Sequence, residues 1–221
     1  MLYYSAIANQ VLRLSNVTAE YPIPDYEWRE VDYKSVVNKK PDPLRGTPAR
    51  VFTKGKPVYV SLTTMDSRIH QVDKSIMQIL KGSIVPDHVY LFISREKYIL
   101  DNGIPEDTIP TSLLEITKMY PVSVIYTQNI GPHRKLLPLL AKKWNEDCII
   151  ITIDDESKTG LDAYVRQLLK YYLASKRSSI VALKVRRIGF CDKYPWYTRH
   201  YTKWGEIKYG AREMMVLPTG A

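Results

Sequence analysis

Apolar and polar positions follow two regimes along the chain, and the change comes near Lys56. Before it, "YPIPDYEWREVDYKSVVNKKPDPLRGTPARVFTKGKP" carries proline and charge without a helical or alternating period. That pattern predicts an extended arm or linker over residues 1–56, packed against a body or joined to another domain. From residue 57 to 221 the pattern turns regular. "PVYVSLTT" is a short β-branched run and predicts a strand. "SRIHQVDKSIMQILKG" follows, with Ile69, Val72, Ile76, Ile79 and Leu80 at helical spacing and Gly82 placed to end the helix. "DHVYLFIS" predicts a second strand, and the long loop after it ends in a short helix at "SLLEITKMY". "PVSVIYTQ" predicts a third strand. "GPHRKLLPLLAKKW" predicts a helix opened by Pro132, with a kink or break at Pro138. "DCIIITID" predicts a fourth strand. "TGLDAYVRQLLKYYLASK" predicts a helix with Leu161, Tyr164, Val165, Leu168, Leu169 and Tyr172 along one face, and "SIVALKVRRI" a fifth strand.

Strands alternating with helices imply an α/β domain built on a mostly parallel sheet flanked by helices. Ligands of such sheets sit beyond the carboxyl ends of the strands, near a reversal of strand order. Three predicted strand ends are polar: "TTMDSR", "TQNIGPHRK" and "DDES". The first offers Thr63, Thr64, Asp66 and Arg68, which suit a base or ribose and offset phosphate charge. The second sets Gly131 ahead of His133, Arg134 and Lys135 at an expected helix start, which suits an anion. The third places Asp154, Asp155 and Glu156 after a buried strand. Hard cations such as Mg²⁺ or Mn²⁺ take carboxylate oxygens and keep phosphate oxygens or water as further ligands. Strand alternation would put Asp154 and Glu156 on one side and Asp155 on the other. Read alone, the triplet is better explained as a solvated helix start ahead of Thr159. Read with the other two ends, it completes a crevice for a nucleoside diphosphate and a metal.

Composition narrows the partners. With 45% hydrophobic and 25% charged residues the 221-residue chain is globular rather than disordered. It has no transmembrane segment and no signal-peptide pattern, so a cytoplasmic, at most membrane-peripheral, protein is expected. Cys148 and Cys191 have no Cys or His neighbour at metal-ligand spacing and read as free thiols. The net charge of +9 calls for an anionic partner. The late basic stretch interleaves Tyr and Trp but matches no nucleic-acid-binding motif, so no nucleic acid is expected.

The pieces "VYVSLTTMDSRIHQVDKSIMQIL", "PDHVYLFIS", "IGPHRKLLPLL" and "DCIIITIDDE" resemble, in order and spacing, a group of family 2-like glycosyltransferases with the Rossmann-like GT-A fold. The resemblance covers Pro57 to Asp155 and fades beyond. It implies a nucleotide-sugar donor (a UDP- or GDP-sugar), a Mn²⁺ or Mg²⁺ ion at a DXD-like motif, and transfer of the sugar to a hydroxyl of a glycan or glycoprotein acceptor. Carried over, it puts Thr63, Thr64, Arg68, Gly131, Lys135, Asp154 and Asp155 at the nucleotide sugar, and Asp154, Asp155 and Glu156 at the metal. Three departures stand out. Arg134 replaces the family's threonine, Glu156 replaces a third aspartate, and the chain stops at "LPTGA", where the family continues towards its acidic catalytic base. Glu213 is a poor substitute for that base, so the catalytic residue is unassigned, and the sequence leaves open a domain truncated at its C-terminus, a donor-binding half, or one domain of a larger chain. The alternative is a catalytically incomplete, transferase-like binding or scaffold domain. A nucleotidyltransferase is disfavoured because "TTMDSR" lacks a glycine-rich phosphate loop.

Overall fold

The computed structural model describes residues 26–31, 44–155, 160–175, 179–182, 185–187, 205–207 and 217–218. The chain forms two compact units, one of Pro22–Gln167 and one of Met1–Tyr21 with Leu168–Ala221.

The first unit is built on a five-stranded sheet of order β1-β6-β5-β3-β7. Its parallel strands are β3 (Val58–Thr63), β5 (His88–Ile93), β6 (Val122–Tyr126) and β7 (Ile149–Thr152). The short strand β1 (Arg29–Glu30) lies antiparallel against β6. A separate parallel pair joins β2 (Thr47–Pro48) to β4 (Ile84–Val85). Residues of the expected arm therefore supply strands to this unit. The α/β class and the mostly parallel sheet are as the periodicity predicts.

Register divides the sheet into two chemically distinct faces, because paired residues of neighbouring strands point the same way. One face is aliphatic: Val60, Val89 and Val122 lie in register, as do Leu62, Leu91 and Val124, and all are buried. Three helices belong to the unit, α1 (Val72–Leu80), α2 (Thr111–Met119) and α3 (Leu137–Lys142). α1 buries Val72, Ile76, Ile79 and Leu80, a helical stripe, and packs against α2, which also meets β6. The other face is aromatic. Phe92, Ile125 and Leu139 form a buried cluster there, with Trp28, Tyr59, Tyr90 and Ile150 packed on it. Trp28 meets Phe92 edge-on at 5.2 Å between ring centroids, a favoured aromatic geometry.

Four expectations change in detail. The segment from "GPHRK" onwards is not one helix. Gly131–Lys135 is a 3₁₀ turn, the backbone breaks at Leu136 (φ −119°, ψ −54°), and α3 starts afresh with Pro138 in its first turn. Pro138 lacks an N–H, which only the first turn of a helix tolerates freely. The helix expected from Ser67 instead begins with a 3₁₀ turn, Asp66–Arg68, before α1. Gly82 follows α1 but is not in the left-handed region that ends helices. A Cβ there would lie 2.5 Å from the carbonyl oxygen of Asp162, so glycine is required by close backbone approach. The expected fifth strand is two short ones, β8 (Ser179–Ile180) and β9 (Val185–Arg187), outside the parallel sheet.

Helix α4 (Leu161–Ala174) starts in the first unit, where Leu161 and Val165 are buried, and ends in the second. In the second unit β8 pairs antiparallel with β11 (Leu217–Pro218), and β9 with β10 (Gly205–Ile207). No helix among the described residues is long and apolar enough to cross a membrane.

Candidate functional site

From β3 the chain steps outward to β5 and β6, then returns to the other side of β3 as β7. The order reverses between β3 and β7, and open α/β sheets bind ligands beyond the strand ends at such a reversal. A cavity of about 360 Å³ lies there. The last residue of β3 and residues that follow β3, β5, β6 and β7 line it, including Thr63, Thr64, Arg68, Gly131, Lys135, Asp154 and Asp155. Seven of the eight candidate site residues thus surround one space. Glu156 lies outside the described residues, as do Glu213, Cys191 and most of the late basic stretch.

The two described acids of the triplet meet opposite environments. Asp155 is nearly buried, with a side chain 6% exposed, and its Oδ2 accepts hydrogen bonds from Thr64 Oγ1 at 2.6 Å and Arg68 Nε at 2.8 Å. Its backbone carbonyl accepts from Ser75 Oγ on α1 at 3.2 Å. Asp154 is 71% exposed and pairs with Lys135. Both follow from alternation beyond β7: one side chain turns under the loop after β3, and its neighbour turns out.

A second charge pair is more deeply set. Arg134 and Asp101 have side chains 3% and 6% exposed and meet at 2.8 Å. Arg134 also donates from Nε to Thr63 Oγ1 at 3.1 Å and from Nη2 to the Thr64 carbonyl at 2.9 Å. Asp101 ties together the loops that follow the strands. Its Oδ1 accepts from the backbone N–H groups of Gly103 at 3.1 Å and Asp66 at 3.3 Å, and its Oδ2 accepts from Asn129 Nδ2 at 3.3 Å. Asp66 returns the link by accepting from Asn102 Nδ2 at 2.8 Å, which draws its carboxyl pKa below the usual range.

Gly131 is fixed by two requirements. Its φ is +63°, and a Cβ would approach Tyr98 Cε1 to 3.2 Å. Its N–H donates to Asn129 Oδ1 at 3.2 Å, and Asn129 is itself held by the Glu96 carboxylate and carbonyl. The 3₁₀ turn that Gly131 opens is short, so its suitability for an anion rests on the Lys135 side chain rather than on a helix terminus. At the rim, the backbone of Tyr98 and Asp101 closes a turn through Ile99 and Leu100. Ile99 takes φ +53°, a left-handed conformation costly for a β-branched residue, and is 73% exposed.

Sequence reasoning missed Asp101, Asn129 and the Tyr98–Leu100 turn. "LDNG" and "QNIG" carry turn residues that mark backbone bends, but nothing in them shows that the bends meet. Arg134 is legible in the sequence as an anion-suiting group at an expected helix start, not as the most deeply buried cation of the cavity.

No group of three or more His, Cys, Asp or Glu side chains is assembled for a metal among the described residues. The donor chemistry still suits a hard cation in part. Asp154 offers an exposed carboxylate at the cavity mouth, and Mg²⁺ commonly takes one or two carboxylates with phosphate oxygens. Asp155 Oδ2 is already engaged.

The chain matches no protein-family model and no curated protein.

Proposed function

We propose that the cavity binds a nucleotide-sugar donor together with a divalent cation, and that the protein is a GT-A-type glycosyltransferase acting on a hydroxyl acceptor. The observation that carries this reading is the convergence of separated polar strand ends on one cavity at the β3/β7 reversal. The volume lies within the range of small-molecule sites, at its lower end. That suits a nucleoside diphosphate with the sugar towards the mouth.

Charge supports the cation. Arg68, Arg134 and Lys135 give three positive groups in the cavity lining, and Asp101, Asp154 and Asp155 give three negative ones, so the described lining is formally neutral. A diphosphate entering it needs added positive charge. Asp154 would hold the cation, with Glu156 as the second ligand the triplet offers. The cation would supply electrostatic stabilisation of the departing diphosphate. Lys135, released from Asp154, would turn to a phosphate oxygen. Asp155 would keep Arg68 and Thr64 oriented at the pocket wall, and Gly131 would let the backbone come close to the ligand.

Calorimetric titration with UDP- and GDP-sugars, with and without Mn²⁺, tests the reading. Binding to at least one donor is expected only with Mn²⁺, and Asp154→Ala should abolish it. Absence of metal-dependent binding to every donor, or unchanged binding in Asp154→Ala, would overturn it. Binding with neither transfer nor hydrolysis would assign the protein as a binding domain instead.

A further inference from the structure

We propose that Tyr98 is the platform on which the nucleobase stacks, an inference that rests on the nucleotide-sugar reading above. One edge of its ring lies over Gly131, where a Cβ would come to 3.2 Å from Cε1 and 3.6 Å from Cδ1, so glycine leaves room for the ring. The Tyr98 N–H donates to the Asp101 carbonyl at 2.9 Å, and its own carbonyl accepts from the Asp101 N–H at 3.0 Å. With its backbone so engaged Tyr98 is still 46% exposed, and that opening belongs mainly to the side chain. Other rings have partners: Trp28, Tyr59, Tyr90 and Phe92 pack on one another, and Arg95 lies over Tyr126. Among the described residues Tyr98 has no aromatic or cationic neighbour over its ring and no hydrogen bond from its hydroxyl. An open ring beside Ile99, whose φ of +53° is costly for a β-branched residue, is the kind of strained arrangement that collects at ligand clamps.

Position then selects the base over the phosphates and the sugar. β5 and β7 flank β3, so the loops carrying Tyr98 and Asp154 leave the sheet about 10 Å apart, two strand spacings. The 3₁₀ turn Gly131–Lys135 spans a similar gap. Gly131 meets Tyr98 and Lys135 pairs with Asp154, and a rise of about 2 Å per residue sets these ends roughly 8 Å apart. A nucleoside bridges such a gap, with its phosphates at the charged end and its base at the ring. The ring's end of the cavity is also short of free polar groups. Ile99, Leu100 and Pro132 line it, while the Asp101 carboxylate and the Asn129 amide are already engaged by Arg134, Glu96 and Gly131. A sugar there would set most of its hydroxyls against aliphatic side chains, whereas every base offers a π face to an aromatic ring.

The test measures binding of UDP, GDP and their sugars, each with Mn²⁺, to the wild type, Tyr98→Phe and Tyr98→Leu, with a thermal melt of each protein. Tyr98→Phe keeps the ring and should bind the tighter of UDP and GDP within about twofold of the wild type. Tyr98→Leu keeps an apolar side chain over Gly131 and loses the ring. It should melt as the wild type does and bind that nucleotide roughly fivefold to a hundredfold more weakly, the range for one base–aromatic stack. Unchanged binding in Tyr98→Leu would overturn the proposal, as would an equal loss in Tyr98→Phe. Loss confined to the nucleotide sugar, with the free nucleotide unaffected, would place the sugar on the ring and also overturn it. Should either variant melt well below the wild type, a crystal structure of the wild type with that nucleotide and Mn²⁺ decides instead: the base face to face with Tyr98 supports the proposal, and the base elsewhere overturns it. Failure of every nucleotide to bind the wild type would overturn the donor reading itself and this proposal with it, an outcome distinct from retained binding in Tyr98→Leu.

Discussion

Asp154 and Asp155 are adjacent in the chain, yet they belong to different parts of the cavity and different physics. At the mouth, Asp154 is 71% exposed and shares its charge with one flexible lysine. At the wall, Asp155 is 6% exposed and held by Thr64, Arg68 and α1. Deeper still, Asp101 and Arg134 form a pair excluded from water on both sides. The gradient shows how one cavity divides its labour. Buried pairs hold the loops in register at a cost that tolerates no missing partner, while the exposed acid is held by Lys135 alone among the described residues.

Substitutions at graded depth should reveal that division. The largest loss of stability belongs to Asp101→Ala, which strips Arg134 of its counter-charge and unties the loops after β3, β5 and β6. About 3–5 kcal/mol is expected for breaking a buried pair, read by urea unfolding. Asp155→Ala should cost about 1–3 kcal/mol, towards the lower end because Arg68 is 35% exposed and regains water. Asp154→Ala should leave stability within about 0.5 kcal/mol while removing metal-dependent donor binding. Similar losses at all three positions would break the comparison.

The amino ends of the same strands provide a control. His88, at the start of β5, is hydrogen-bonded to Ser123 Oγ at 2.9 Å, which in turn donates to Glu30. Burial lowers the His88 pKa from 6.5, helped by Lys143 and opposed by Glu30. The folded state therefore binds fewer protons than the unfolded one. Stability from this group is complete above 6.5 and is lost as pH falls through the lowered folded value. His88→Gln should flatten the decline of stability just below that pH, and donor binding measured above it should stay as in the wild type.

Much of the sheet could be read in the sequence because burial leaves a period. "VYVSLT" and "VSVIY" are apolar runs enclosed on both faces, and Val72, Ile76 and Ile79 repeat on one side of α1. The strand-end residues were found because each ended such a run. Asp101 was hidden for the opposite reason. Three of its partners lie 28, 33 and 35 residues away at Asn129, Arg134 and Asp66, and no local pattern records a contact of that range. β1 was equally hidden, since two residues at a sheet edge establish no alternation.

A crystal structure of the protein soaked with Mn²⁺ and the tighter-binding of UDP and GDP tests the central claim most directly. The account predicts the nucleotide in the cavity between the ends of β3 and β7, with the cation on Asp154 and Lys135 turned from Asp154 to a phosphate. A nucleotide bound elsewhere, or a cation with no ligand from Asp154, would contradict it.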